Sequence, residues 1–325
     1  MAAIPEQTAT GNVAKIPVVV TITDTNFFIA VFTLLLSLQF HKVRATAHVL
    51  GVNLSDEEQR LLRQFPGTQV IAADPANSRG PTCRKGEAIL AAARVSPDAT
   101  HISLLDGDTL ATGDITEYLC PEGETLFARW KTPEEDGQIF ATRYEPGEVV
   151  GTIPRQILEV WQQDVNERTT PLIHNTVCGG NLTVHRKALG FIERWQTQMN
   201  KVLPENLKGA HNFTSKAYFQ VDESVLNSLL AFAHDAPPAL SAQLNIDPQA
   251  YVAHLGPNNP KPWVLWRPEK LRYYPQVAGF FAWAKQQGYD LPKVPWTFQQ
   301  RNRLAVIASA HLFGAARSLK GRFKA

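Results

Sequence analysis

Between residues 17 and 105 the chain alternates short strand-like runs with helix-length segments. PVVVTIT (17–23) is a β-branched run, and an apolar helix-length segment follows from Asn26 to about His41. ATAHVLGV (45–52) is strand-like again. SDEEQRLLRQF (55–65) reads as a helix, with Ser55 as N-cap and acids in its first turn. TQVIAA (68–73), the helical RKGEAILAAARV (84–95) and the strand ISLL (102–105) complete the series. Such alternation predicts a mostly parallel α/β sheet flanked by helices. Ligands bind such sheets outside the C-terminal ends of the strands. The fourth strand runs straight into Asp106-Gly107-Asp108, two carboxylates at one of those ends.

The rest of the chain is less regular. Residues 121–150 are rich in Pro, Gly and Glu and read as an irregular insertion over the site. A helix is expected over 187–203, with Leu189, Ile192, Trp195 and Met199 on one face. Another is expected over 223–233, beside a second acidic pair, Asp222-Glu223. The segment 254–275 is dense in Pro, Trp, Tyr and Arg, and helices over 276–287 and about 298–313 follow. This divides the chain into a 1–275 catalytic domain and a 276–325 helical, basic tail.

Composition narrows the function. With 325 residues, 44% apolar and 19% charged, the chain can build a sizeable core. A net charge of +2 argues against a nucleic-acid partner. Three cysteines without a CxxC indicate neither a disulfide framework nor a zinc cluster, and a reducing cytoplasm is expected. The first fifteen residues lack a signal-peptide pattern. The apolar stretch 27–40 is too short to span a bilayer and reads as a helix packed on the sheet. The last 25 residues carry Arg301, Arg303, Arg317, Lys320, Arg322 and Lys324 and no acid, with Leu304, Ile307, Leu312 and Phe313 interleaved. Such a tail suits either a solvated helix or contact with an anionic membrane surface, which would place the protein peripherally at the inner face of the membrane.

Three chemistries use an acidic pair after a strand. An aspartyl-nucleophile phosphatase needs Thr or Val two residues beyond the second Asp, but Thr109 follows Asp108 directly and Leu110 holds that position. A sugar nucleotidyltransferase needs a Gly-rich loop after the first strand, and TDTNFF has no glycine. A glycosyltransferase uses the pair to hold a divalent cation on a sugar nucleotide.

Four segments favour the last. They are Thr23-Asp24-Thr25-Asn26, Leu105-Asp106-Gly107-Asp108, Asp222-Glu223-Ser224-Val225-Leu226-Asn227, and His254-Leu255-Gly256 with Lys261-Pro262-Trp263. In kind and order they resemble the uridine-contacting turn, the DxD, the DQDxLN and the HxxGxxKPW of the GT-A glycosyltransferases of family eight, the glycogenin and lipopolysaccharide-galactosyltransferase family. The resemblance implies a GT-A fold and a UDP-sugar donor. It implies a Mn²⁺ or Mg²⁺ ion on Asp106, Asp108 and His254, a ligand set that a hard divalent ion accepts. It gives Thr23, Asp24, Asn26, Asp106, Asp108, Gly256 and Lys261 to the nucleotide, with Lys261 facing the leaving diphosphate. Asp222 and Glu223 would lie near the anomeric carbon.

The expected activity is retaining transfer of a hexose to a hydroxyl of a saccharide or glycolipid. The sequence departs from the family in two places. His and Lys stand seven positions apart where the family has six, and Glu223 replaces a Gln. CGGNLTVHR (178–186) is closer to the inverting family-two enzymes, so Asp222 or Glu223 acting as a base is an alternative. A non-catalytic sugar- or nucleotide-binding protein is another. Asp24 and Asn26 can equally cap the following helix, Asp222-Glu223 can simply open one, and Arg84 and Lys85 are expected to coat a helix surface.

Overall fold

The computed structural model describes residues 17–209, 213–241, 252–256 and 260–322. The polar N-terminal stretch 1–15, Lys324 and part of the His254–Lys261 loop lie outside the described residues.

The chain opens with β1 (Val18–Asp24), α1 (Phe28–Phe40), β2 (Thr46–Val52), α2 (Asp56–Arg63), β3 (Thr68–Ala72), α3 (Lys85–Val95) and β4 (His101–Leu105). This is the alternation expected from the sequence, within a residue or two at each boundary. Ser55 caps α2 in a full capping box with Glu58. β1 pairs in parallel with both β2 and β4, and β2 with β3.

The middle of the chain follows with β5 (Thr109–Ala111), β6 (Leu126–Trp130), α4 (Pro133–Phe140), β7 (Val149–Val150), β8 (Ile153–Pro154), α5 (Arg155–Val165) and β9 (Val177–His185). Then come α6 (Leu189–Val202), α7 (Asp222–Phe232), β10 (Ala239–Ser241), β11 (Val252–His254), α8 (Tyr274–Gln286) and α9 (Arg303–Arg322). Among the described residues the main sheet has the order β10-β6-β9-β4-β1-β2-β3. β9 runs antiparallel to both of its neighbours, β4 and β6. Its first residues therefore lie beside the last residues of β4. That reversal carries Gly179, Gly180 and Asn181 to the Asp-Gly-Asp turn.

The sheet separates two apolar layers. One face packs against α3, α5, α6 and α7, with Trp161, Trp195, Met199 and Phe232 buried. The other packs against α1, α2 and α8, with Phe32, Phe65, Trp266 and Phe280 buried. Each such side chain contributes about 1.5–3 kcal/mol. The apolar segment at 27–40 is thereby explained. α1 is buried almost all round, between the sheet and α8. No helix among the described residues is long and apolar enough to cross a membrane.

Several elements differ from the sequence expectation, among them α4, α5 and β9. α4 sits inside the insertion, opened by a Thr132–Glu135 capping box and Pro133. α5 and β9 occupy 155–165 and 177–185, where no element was expected. The last helix also begins later and runs further than anticipated, over 303–322.

Candidate functional site

The site is built at the C-terminal end of β4. The Asp106-Gly107-Asp108 turn is closed by the Thr109 N–H and hydroxyl, which both donate to the Asp106 carbonyl. A side chain at Gly107 would meet Val31 at 2.7 Å, so only glycine lets this turn settle on α1. β5 then pairs antiparallel with β11, setting His254 opposite Thr109, and the Leu255 N–H donates to the Asp108 carbonyl. An imidazole 146 residues away in sequence is thus clamped onto the acidic turn by backbone pairing. His254 Nε2 lies 2.9 Å from Asp108 Oδ1. One ligand atom each from Asp106, Asp108 and His254 come within 4.8 Å of one another.

Lys261 approaches the same carboxylate from the other side, donating to Asp108 Oδ2 at 2.7 Å. Burial alone would raise the Asp108 pKa, but His254 and Lys261 together hold it well below the usual carboxylate range. Gly256 is required by this crowding, since a Cβ there would sit 2.0 Å from Asp108 Oδ2. The Lys261 ammonium also faces the ring of Phe27 at 5.1 Å, and Phe27 meets Trp263 edge to face.

A second cluster adjoins the first. Lys85, in the first turn of α3, donates to the Gly179 carbonyl at 3.0 Å. Its Nζ pairs with Asp106 Oδ1 at 2.7 Å and with Asp222 Oδ2 at 2.9 Å. Burial works against the Lys85 charge, yet the two carboxylates hold its pKa well above the ordinary lysine value. Burial pushes Asp106 up, with Lys85 opposing. Asp222 is pushed up to about 7 by burial and, more weakly, by Asp106 and Glu223. Glu223 lies beside it. Its Oε2 accepts from the Gly179 N–H at 2.8 Å, and its Oε1 accepts from Gln220 at 2.6 Å and from Lys131.

The backbone is shaped for these acids. A Cβ at Gly180 would stand 2.6 Å from Asp106 Oδ2, and one at Gly179 would stand 3.0 Å from Asp222 Oδ2. Val221, the residue before the second acidic pair, has φ 52° and ψ −110°. A β-branched residue at positive φ is strained, and strain of this kind gathers at functional sites. The Val221 N–H donates to the Tyr218 carbonyl, and the Trp195 indole donates to the Asp222 carbonyl, so the distortion is held from both sides.

The sequence-predicted residues divide accordingly. Asp106, Asp108, His254, Gly256 and Lys261 converge, and Asp222 and Glu223 join them through Lys85 and Gly179. Asp24 closes the turn ahead of α1, its carboxylate accepting from the Phe27 N–H at 3.0 Å and from the Asn26 amide at 3.4 Å, while α1 itself has no side-chain cap. Thr23 donates its hydroxyl to the Asp24 carbonyl. The expectation for Arg84 and Lys85 is corrected. Neither coats a surface: they are 2% and 7% exposed, and Arg84 binds Glu87 and the Asp74 and Asn77 carbonyls. A cation in a first helical turn runs against the helix dipole, and that mismatch is the signal that marks Lys85. Lys131 carries no comparable signal in the sequence.

No family model and no curated relative matches the chain. Solved structures do. WbbM, a bifunctional glycosyltransferase, is 16% identical over 93% of this chain and 53% of its own, with a TM-score of 0.55. GlyE, a glycosyltransferase of Streptococcus pneumoniae TIGR4, is 17% identical over 86% of this chain and 65% of its own, at 0.46. LgtC, a galactosyltransferase solved with donor and acceptor sugar analogs, is 14% identical over 88% of this chain and 99% of its own, at 0.48. The chain spans about half the length of WbbM. At such identities the likeness is one of fold, and the WbbM match carries it: this chain has the mixed α/β, GT-A-type fold of a glycosyltransferase domain.

Proposed function

We propose that the protein is a metal-dependent glycosyltransferase that moves a hexose from a UDP-sugar to an acceptor hydroxyl with retention of configuration. The observation that carries this reading is the convergence of Asp106, Asp108 and His254 at a strand end. Two carboxylates and an imidazole suit Mn²⁺ or Mg²⁺, and glycine at 256 spares Asp108 Oδ2 a Cβ that would stand 2.0 Å away. Asp106, Asp108 and His254 would hold the ion, which when bound supplies positive charge to the donor diphosphate. Lys261 adds a point charge at the same place, where negative charge gathers as the nucleotide leaves. Phe27 and Trp263 offer apolar faces beside it, and Thr23, Asp24 and Asn26 form the neighbouring turn toward the nucleotide. Glu223 sets an anion where an oxocarbenium-like sugar would carry positive charge. Asp222 is 4% exposed and tied to Lys85, which argues against it as the base of an inverting reaction.

The test is release of nucleotide from a panel of UDP- and GDP-sugars, with and without Mn²⁺. Metal-dependent release from one UDP-hexose is the expected result, with an acceptor then identified and the product anomer read by NMR. An inverted anomer removes retention from the proposal. No release, and no rise in melting temperature with UDP and Mn²⁺, removes the enzyme and leaves a binding protein.

For the acceptor, a lipid-linked saccharide or surface polysaccharide is proposed, with the protein on the cytoplasmic face of the membrane. Leu304, Leu312 and Leu319 of α9 are 83%, 72% and 55% exposed. Their spacing sets them on one helix face, and residues 301–325 contain no acid. Flotation with anionic but not neutral vesicles is expected, and is abolished by changing the three leucines to serine. A variant that still floats refutes the attachment.

A further inference from the structure

The proposed mechanism makes no use of Lys131. Its side chain is 4% exposed, and its ammonium pairs with Glu223. Its backbone is fixed on both sides: the N–H donates to the Thr176 carbonyl, and the carbonyl accepts from the Asn175 amide. The β6–β9 register shifts between Ala128 and Trp130, just before it. Such a bulge re-aims the side chains that follow. Thr132 then caps α4, so the chain leaves in a helix immediately afterwards. A strand irregularity, two backbone bonds and a helix cap all serve to hold one lysine against Glu223.

Glu223 is the residue that departs from the Gln of the family resembled. A Gln half-buried here needs hydrogen bonds and no counter-charge. A Glu needs a cation, because a buried unpaired carboxylate is costly. The groups facing it are Lys131 from the end of β6, Cys178 and Gly179 from β9, and Gln220 and Asp222 from its own segment. Lys131 is the cation among them in direct contact. Glu223 is the more open of the two, at 13% against 4%, so the lysine lies behind and the carboxylate in front. Three donors occupy most of the carboxylate's lone-pair directions and fix its orientation.

We propose that Lys131 is the positioning residue for Glu223, and that this buried pair acts as one unit in place of the family's Gln, holding an oriented anion toward the sugar site. The proposal rests on the transferase reading for its function, and on the pair alone for its structural content. It also makes Glu223 an electrostatic partner of the transition state, its acceptor lone pairs engaged, in preference to a free nucleophile.

The test is a double-mutant cycle with Lys131→Met, Glu223→Gln and both together, with Lys131→Arg as the conservative control. Nucleotide release, donor KM, melting temperature and the UDP–Mn²⁺ thermal shift are measured for each. K131M is expected to lower kcat on the order of a hundredfold, the effect of misplacing a group at the reacting centre. Donor KM and the UDP–Mn²⁺ shift stay unchanged, and K131R recovers most of the rate. In the E223Q background, K131M costs less than about twofold, since Lys131 acts only through Glu223. An equal loss in both backgrounds, or a K131M enzyme of normal kcat, overturns the proposal. Should the wild type show neither sugar-nucleotide turnover nor a UDP–Mn²⁺ thermal shift, the transferase reading fails, and the melting temperatures of the variants still judge the pair. Each single variant is expected to melt lower and the double to recover, whereas additive losses overturn the pairing. Should K131M not fold, K131R, E223Q and the double variant supply the same comparison.

Discussion

Gly180→Ala places one methyl group at the centre of the site. The added carbon would stand 2.6 Å from Asp106 Oδ2, 3.3 Å from its Cγ and 3.6 Å from Cys178 Sγ. Ordinary contact begins near 3.4 Å, so the carboxylate must retreat by about 0.8 Å or the strand must move. The strand is held, because the Gly180 carbonyl accepts from the Asp106 N–H at 2.9 Å and β9 is paired on both edges. Asp106 therefore yields. Its 2.7 Å contact with Lys85 lengthens, and its place among the three candidate metal ligands is lost. Overpacking of this kind costs about 1–3 kcal/mol of stability. A sub-ångström displacement of a ligand costs about a hundredfold in rate. The assay is a Mn²⁺ titration of UDP-dependent thermal stabilisation, alongside urea unfolding of the metal-free protein. Weakened Mn²⁺ dependence with a folded, slightly destabilised chain is expected. A variant with wild-type Mn²⁺ dependence would show that Asp106 does not act where this geometry sets it.

Three further outcomes follow from the same contacts. Asp108→Asn is expected to abolish metal-dependent nucleotide release, and full activity under chelator would refute the metal assignment. Lys85→Met leaves the buried Asp222 and the partly buried Asp106 without their cation, and should destabilise by about 3–5 kcal/mol in urea unfolding. Adding Asp222→Asn should return part of that loss, and a Lys85→Met chain of wild-type stability would refute the pairing. The Asp108 pKa is depressed in the folded chain, so its stabilisation is complete above the unfolded value and lost as pH falls through the folded one. Metal-free protein should therefore lose stability progressively as pH falls below about 5, with the loss continuing well below the ordinary carboxylate pKa. Asp108→Asn should flatten that slope, and an unchanged slope would refute the attribution.

The first half of the fold was readable because its cues are local. A capping box at Ser55, β-branched runs and an apolar helix each declare themselves within a dozen residues. β9 did not declare itself. Its VCGGNLTVH contains two glycines and an asparagine, which lower strand propensity, and its reason for being a strand is the pairing on both edges. α4 was obscured by the Pro, Gly and Glu content of its surroundings, although Thr132 and Glu135 make a capping box that local reading can find. At the site, residues that converge by motif were legible and residues that converge by topology were not. Asp106, Asp108 and His254 belong to recognisable spacings. Lys131 follows a register shift in β6 and meets Glu223 from across the chain, and Lys85 meets acids at the end of β4 and the start of α7. Neither fact is written within a window around the lysine.

The short strand β11 has a consequence for how the molecule comes into being. It brings His254 to Asp108 through a three-residue ladder onto β5, across 146 residues of intervening chain. Contacts so distant in sequence carry a large loop-closure cost and form late. During synthesis the carboxylates of Asp106 and Asp108 leave the ribosome long before the imidazole and Lys261 that will face them. Until β11 docks, the acidic turn has Lys85 as its near counter-charge and lacks the imidazole of His254. On the proposed reading, the full set of two carboxylates and an imidazole would therefore exist only once β11 has docked.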